Sequence, residues 1–187
     1  MFTQPKQGAD GRYSARVSEP KFVQVNNVNI EGSFSEGDSV TVEFSDPSKI
    51  HEVDQLIMAA AKENSETWFG KKIPDKTLEA GYTGSLKSNK MIAEKAVVKG
   101  EYAVRAFNSD RTTLNLEDVP ENAPCDIILE FASVVFFKKS YSPVWKIVQV
   151  KLRPLPKQAR NKYTDECMFE DDPEAPEIDA DPEDDEF

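Results

Sequence analysis

Residues 126–139 (DIILEFASVVFFKK) constrain the fold more than any other stretch: a long run dominated by β-branched and aromatic side chains, with no Gly or Pro. Such side chains fit a pleated, half-buried surface far better than a helix. Residues 145–153 (WKIVQVKLR) repeat the character. The short polar connection at 140–143 contains Pro143 and reads as the turn of a hairpin. The chain therefore holds an antiparallel ribbon that must bury one face.

Upstream, residues 21–30 (KFVQVNNVNI) place Phe22 or Val23, Val25, Val28 and Ile30 in strand alternation. The alternation slips at Asn26-Asn27, which predicts a bulge. Residues 35–38 supply turn chemistry and 40–44 (VTVEF) alternate as a second strand. A helix follows: Asp46 is a capping residue, Pro47 suits the first helical position, and Ile50, Val53, Ile57, Ala60 and Ala61 recur at helical spacing until Trp68–Gly70. Trp68 is expected to end the helix by packing on the sheet, and His51, with no partner in sequence, reads as a surface residue. Residues 69–99 are irregular, broken by Gly70, Pro74, Gly81 and Gly84, with a short strand expected within 91–98. In the next strand Tyr102, Val104 and Ala106 share one face, Arg105 and Phe107 the other. Five strands or slightly more with one helix predict a small mainly-β domain, folded as a partly open barrel.

Charge divides the chain. Residues 165–187 hold 13 acidic side chains and no Lys or Arg, so they carry −13 and the rest carries +2, which together make the net −11. With Pro173, Pro176 and Pro182 and mutual repulsion, that tail is expected to be disordered. The expected organisation is a flexible arm over 1–19, a barrel over 20–156, and a linker and acidic tail over 157–187. No apolar stretch approaches the ~20 residues of a membrane helix, and residues 1–11 lack the apolar run of a signal peptide. Cys125 and Cys167 have no partners at metal spacing and read as free thiols.

Catalytic constellations are missing from the sequence. With one His, no Ser–His–Asp or Cys–His arrangement is expected, and no phosphate loop of the GxxxxGK[ST] type occurs. No metal site and no cofactor are expected. Cations interleaved with rings recur instead, the combination that neutralises phosphates and stacks bases. They are Trp68-Phe69 with Lys71 and Lys72, Tyr82 with Lys87 and Lys90, Arg105 with Phe107, Lys138 and Lys139 with Tyr141, and Trp145 with Lys146. A core role fits Trp145 equally well. The tail ends on Phe187 after Asp181, Glu183, Asp184, Asp185 and Glu186. An aromatic anchor behind carboxylates suits a hydrophobic pocket with a basic rim.

The order of these features resembles the OB-fold single-stranded-DNA-binding proteins of tailed bacteriophages, of the T7-like replication type. The strand KFVQVNNVNI, the helix region PSKIHEVDQLIMAAAKENSETWFG, the loop KKIPDKTLEAGYTGSLK, the strands GEYAVRAFNS and CDIILEFASVVFFKKSYSPVWKIVQVKLRP, and the ending DPEDDEF carry it. The resemblance implies a non-enzymatic, sequence-independent binder of single strands in phage replication, recombination and repair, at work in the cytoplasm of an infected bacterium. It implies a tail that recruits the replicative polymerase and helicase–primase and mediates a homodimer; by its charge the same tail can also fold back on the basic groove and compete with DNA. The helix follows the second strand here, whereas a standard OB-fold places it after the third. Two other classes remain open at this point: a protein-interaction module or DNA mimic acting through the tail, and a nuclease-like or other metal enzyme.

Overall fold

The structure, a computed structural model, describes residues 2–8 and 11–154. The expectations for the acidic tail, for Cys167 and for Phe187 lie outside the described residues. In chain order the elements are β1 (Lys6–Gln7), β2 (Tyr13–Glu31), β3 (Ser39–Phe44), α1 (Ser48–Glu63), α2 (Ser65–Phe69) and α3 (Asp75–Gly81). Then come β4 (Lys90–Lys95), β5 (Val97–Val98), β6 (Glu101–Tyr102), β7 (Arg105–Phe107), β8 (Thr113–Leu114), β9 (Pro124–Phe136) and β10 (Tyr141–Leu152).

Strand pairing closes a ring. β2 pairs with β3, β3 with β4, β4 in parallel with β10, β10 with β9, and β9 again with β2. This mainly-β ring is consistent with an OB-like barrel. All three helices fall between the second and third strands of the ring, as the sequence order requires. Beyond β4, the same edge of β10 takes up β7 in parallel, and β8 pairs with β7.

Alternation explains the core. Cys125, Ile127, Leu129 and Phe131 of β9 point inward, as do Trp145, Ile147 and Val150 of β10 and Val23, Val25 and Val28 of β2. Each phase change falls at a bulge. The register of β2 on β9 slips between Val25 and Val28, where Asn27 takes a φ of 55° and its N–H donates to Asp126 Oδ1 at 3.1 Å. Asn, with its short polar side chain, tolerates this left-handed conformation better than most residues. The slip lies where the Asn-Asn pair predicted it. Helix α1 buries Ile50, Val53, Ile57, Ala60 and Ala61, the residues its period selects. The N-cap is Pro47 rather than Asp46; Asp46 lies one position earlier, where its Oδ1 accepts the Ser48 N–H at 3.0 Å. Burial pushes the Cys125 thiol up to about 12, with the Asp126 carboxylate adding to the shift.

Several elements differ from expectation. Within the stretch expected to be a loose arm, β2 already begins at Tyr13, and Phe2 packs edge-on against Trp68, ring centres 5.1 Å apart. β10 begins at Tyr141, so the β9–β10 turn occupies 137–140 and Pro143 lies inside a strand, opposite Val134. A bulge follows at Val144/Trp145, and bulges are places where a strand accommodates Pro. The expected single helix is broken at Asn64 into α1 and the short α2, and a further short helix, α3, occupies part of the stretch read as irregular. Tyr102 is exposed rather than in the core; its ring lies 5.0 Å from Nζ of buried Lys95, which donates to the carbonyls of Phe34, Glu36 and Gly37.

Core and surface positions of the same ring should respond differently to truncation. Ile147→Ala, at a fully buried site, is expected to lower stability in urea by about 2–5 kcal/mol. Ile92→Ala on the exposed face of β4 should stay within about 0.5 kcal/mol. Equal losses would contradict the assigned faces.

Candidate nucleic-acid interface

The outer surface of β2, β9, β10 and β7 is ordered in rows by strand register. One row runs Gln24, Ile128, Gln149, Arg105 across the four strands. On one side of it lies Asp126, Lys151, Phe107, and on the other Phe22, Glu130, Lys146. Further along come Arg16, Ser133, Val144 and then Ser14, Val135, Ser142. From Lys151 to Ser142 this face spans about 30 Å at the usual strand rise. Phe22 is 57% exposed on it, and Phe107 is half-buried. Two depressions mark the face. One, of about 370 Å³, is lined by Gln24, Phe107, Arg111, Asp126, Ile128 and Gln149. The other, of about 550 Å³, includes Arg12, Arg16, Glu130 and Lys146.

Local structure explains who points where. In β10 the register shifts between Ile147 and Gln149, with Val148 as the extra residue. A bulge reverses the in–out phase; it keeps Ile147 and Val150 in the core and turns Gln149 outward. Arg111 sits in the β7–β8 turn with a φ of 71°. That turn is built by Asp110 Oδ1, which accepts from the Thr112 N–H at 3.0 Å and its hydroxyl at 2.6 Å, and by Asn108, whose amide donates to Thr112 Oγ1 at 3.0 Å. The Thr112 donors hold the Asp110 carboxyl below its ordinary value. Asp126 is already engaged: Lys151 Nζ lies at 3.1 Å and Arg153 Nε at 3.7 Å.

The cation–ring pairs named from sequence separate into three places. Arg105, Phe107 and Lys146 share the sheet face. Lys71, Lys72, Lys138 and Lys139 rim a second cleft of about 410 Å³, floored by Phe69, Leu78 and Tyr141. It exists because Gly81 lets α3 approach the β9–β10 turn; a Cβ there would meet the Lys139 carbonyl oxygen at 3.2 Å. Lys87 and Lys90 stand apart on the β4 side, where Lys90 is paired with Glu31 and lies 4.0 Å from Glu43. The hydrogen bond that Lys90 donates to Glu31 raises the Lys90 pKa.

Three of the rings are not surface platforms. Trp145 is 2% exposed, and its indole N–H donates to Ser85 Oγ at 2.8 Å. Tyr141, also 2% exposed, donates to the Leu78 carbonyl at 3.1 Å. Burial moves the Tyr141 phenol up to about 12. Tyr82 is half-buried and donates to Asp54 Oδ1 at 2.7 Å; burial first, and then this bond, raise its pKa. Asp54 also receives the Ser85 N–H and hydroxyl, so one carboxylate ties the loop after α3 to helix α1. Conversely, sequence reasoning missed Phe22, Gln24, Arg111, Ile128, Gln149 and Lys151. Only Arg111 carried a signal, the turn-forming NSDRT stretch.

The opposite side of the ring has another character. Rows Glu31, Thr41, Ile92 and Asn29, Glu43, Lys90 cross β2, β3 and β4, with Glu94 beyond. That face repels phosphate. Among the described residues no group of three or more His, Cys, Asp or Glu is placed to hold a metal ion.

A side chain kept for binding rather than folding can be removed without loss of stability. Arg111→Gly relieves a left-handed backbone that costs a side-chain-bearing residue about 1 kcal/mol. The urea midpoint should therefore stay level or rise; a loss above about 1 kcal/mol would assign Arg111 to the fold.

A single-stranded DNA-binding protein from bacteriophage Enc34 in complex with ssDNA is 12% identical; the alignment covers 82% of this chain and 96% of that one, with a TM-score of 0.45. Another structure of the Enc34 protein is 11% identical over 88% of this chain and 96% of that one, TM-score 0.47. A C-terminal truncation of it gives 9%, 83%, 96% and 0.46. No curated protein matches the chain. Residues 26–171 match a family of unknown function, DUF5871, and the chain belongs to that family.

Proposed function

We propose that this protein binds single-stranded DNA, without catalysis, across the outer face of β2, β9, β10 and β7. The observation that carries the reading is the register of that face: exposed Phe22 and half-buried Phe107 stand among Arg105 and Lys146 over about 16 Å of sheet, with Arg111 in the adjoining turn. A strand laid along it stacks bases on the rings and places phosphates on the cations. The lysine-rimmed cleft formed by Lys71, Lys72, Lys138 and Lys139 lies at the hairpin end of the same strands and extends the electropositive track. A duplex cannot use the rings, because its bases are already stacked.

The acidic segment 165–187 fits this reading as a partner of the cations. Its 13 carboxylates and absence of basic residues make it a competitor for the phosphate sites and a recruiting peptide for basic surfaces of replication proteins. Coating of single strands during replication, recombination and repair is the role we assign. A second reading, an interaction module acting only through that segment, is favoured by its charge; it predicts no DNA affinity with or without residues 165–187.

The deciding measurement is a titration of labelled oligo(dT) and of a duplex of equal length through a salt series. Single strand should bind more tightly, with affinity falling as salt rises. Phe22→Ala should weaken binding by about 1–3 kcal/mol, the usual worth of one stacked base. Arg105→Ala with Lys146→Ala should reduce the salt slope by about 1.4, at ~0.7 for each single-strand phosphate released. Absence of single-strand binding at low salt would overturn the proposal.

A further inference from the structure

The depression of about 370 Å³ between β7 and the β9–β10 ribbon contains more than phosphate partners. Phe107 supplies a ring and Ile128 an apolar floor. Gln149 faces the same space, turned outward by the Val148 bulge, and its amide has no hydrogen-bond partner among the described residues. The Gln24 amide stands beside it in the same row; its Nε2 donates to Asn26 Oδ1 at 3.0 Å, which leaves its oxygen for an incoming donor. Arg111 closes one side from a strained turn. Lys151 and Asp126 satisfy each other at the rim. The Gln149 amide is reached by solvent, and no buried side-chain nitrogen or oxygen among the described residues lacks a partner, so both of its functions are open to an incoming base; a bulge beside a binding face commonly serves to re-aim one side chain.

We infer that this depression is a base-reading pocket, in which one base of a bound single strand stacks on Phe107 and pairs its polar edge with the Gln149 amide. The inference rests on the single-strand reading above. An amide presents one donor and one acceptor side by side, the complement of the adenine N6 and N7 edge. The Gln24 oxygen is placed to take a second exocyclic proton, and Arg111 to hold the neighbouring phosphate. The rest of the face offers rings and cations without such an amide, so the protein remains tolerant of sequence and favours adenine at one position in its footprint.

The test uses the full chain and three oligo(dT) tracts of equal length at fixed salt, carrying one central dA, one central dC or no replacement. The dA tract should bind at least about fivefold more tightly than the all-dT tract, the lower end for one good amide–adenine pair. Gln149→Met keeps the length of the side chain and removes the amide. It should bring the three tracts to within about twofold while leaving the salt slope and the urea midpoint unchanged. Equal affinities for the wild-type protein, or a dA preference that survives Gln149→Met, would overturn the pocket while single-strand binding stands. Failure of all three tracts to bind would overturn both.

Discussion

Strand β9 is hydrogen-bonded along both edges, to β2 on one side and β10 on the other, and the rest of the structure depends on that double pairing. It closes the ring, so its inward residues Ile127, Leu129 and Phe131 meet a core from every side. The same pairing fixes the outside. Because each of the three long strands is in register with its neighbour, outward side chains form rows rather than scattered points. Gln24, Ile128 and Gln149 are adjacent only because β9 holds both partners. An edge strand would leave register weakly specified; a strand paired on both sides cannot slip without burying polar residues.

Electrostatics then separates the two sides of the ring. On β3 and β4, Glu43 and Glu94 join Glu31 of β2, and Lys90 is held by Glu31. On β9, β10 and β7 the acidic Asp126 is spent on Lys151 and Arg153 and Glu130 stands opposite Lys146, which leaves Arg105 and Arg111 to set the field. The net charge of −11 describes neither face. A polyanion approaching the barrel meets one acidic side and one basic, ring-bearing side, and field focusing over a groove favours the second.

Much of the fold was legible because the signals were periodic. The α1 face, the β9 run, the Asn26-Asn27 slip, the short strand within 91–98 and the outward Arg105–Phe107 pair all follow from local pattern. What was illegible depended on partners distant in sequence. Residues 13–16 look like part of an arm, yet β9 supplies their ladder. Pro143 reads as a turn, but the adjacent bulge lets β10 run through it and carries the Tyr141 ring into the core. Helices α2 and α3 are too short to show a period. In the candidate site, the rings of Trp145, Tyr141 and Tyr82 were drawn to the surface by their lysine neighbours in sequence, whereas hydrogen bonds to Ser85, Leu78 and Asp54 fasten them inside. Gln149 could not be found from sequence, because its direction is set by one extra residue, Val148, relative to a strand some twenty positions away.

The central claim is that the β2–β9–β10–β7 face, and not the β3–β4 face, receives single-stranded DNA. Amide chemical-shift mapping on the isotope-labelled full chain, titrated with oligo(dT), tests it directly. Shifts concentrated at Phe22, Gln24, Arg105, Phe107, Ile128, Lys146 and Gln149, with Thr41, Glu43 and Ile92 unmoved, are the predicted result. Shifts centred on Thr41, Glu43 and Ile92, or none in the barrel at all, would contradict the account.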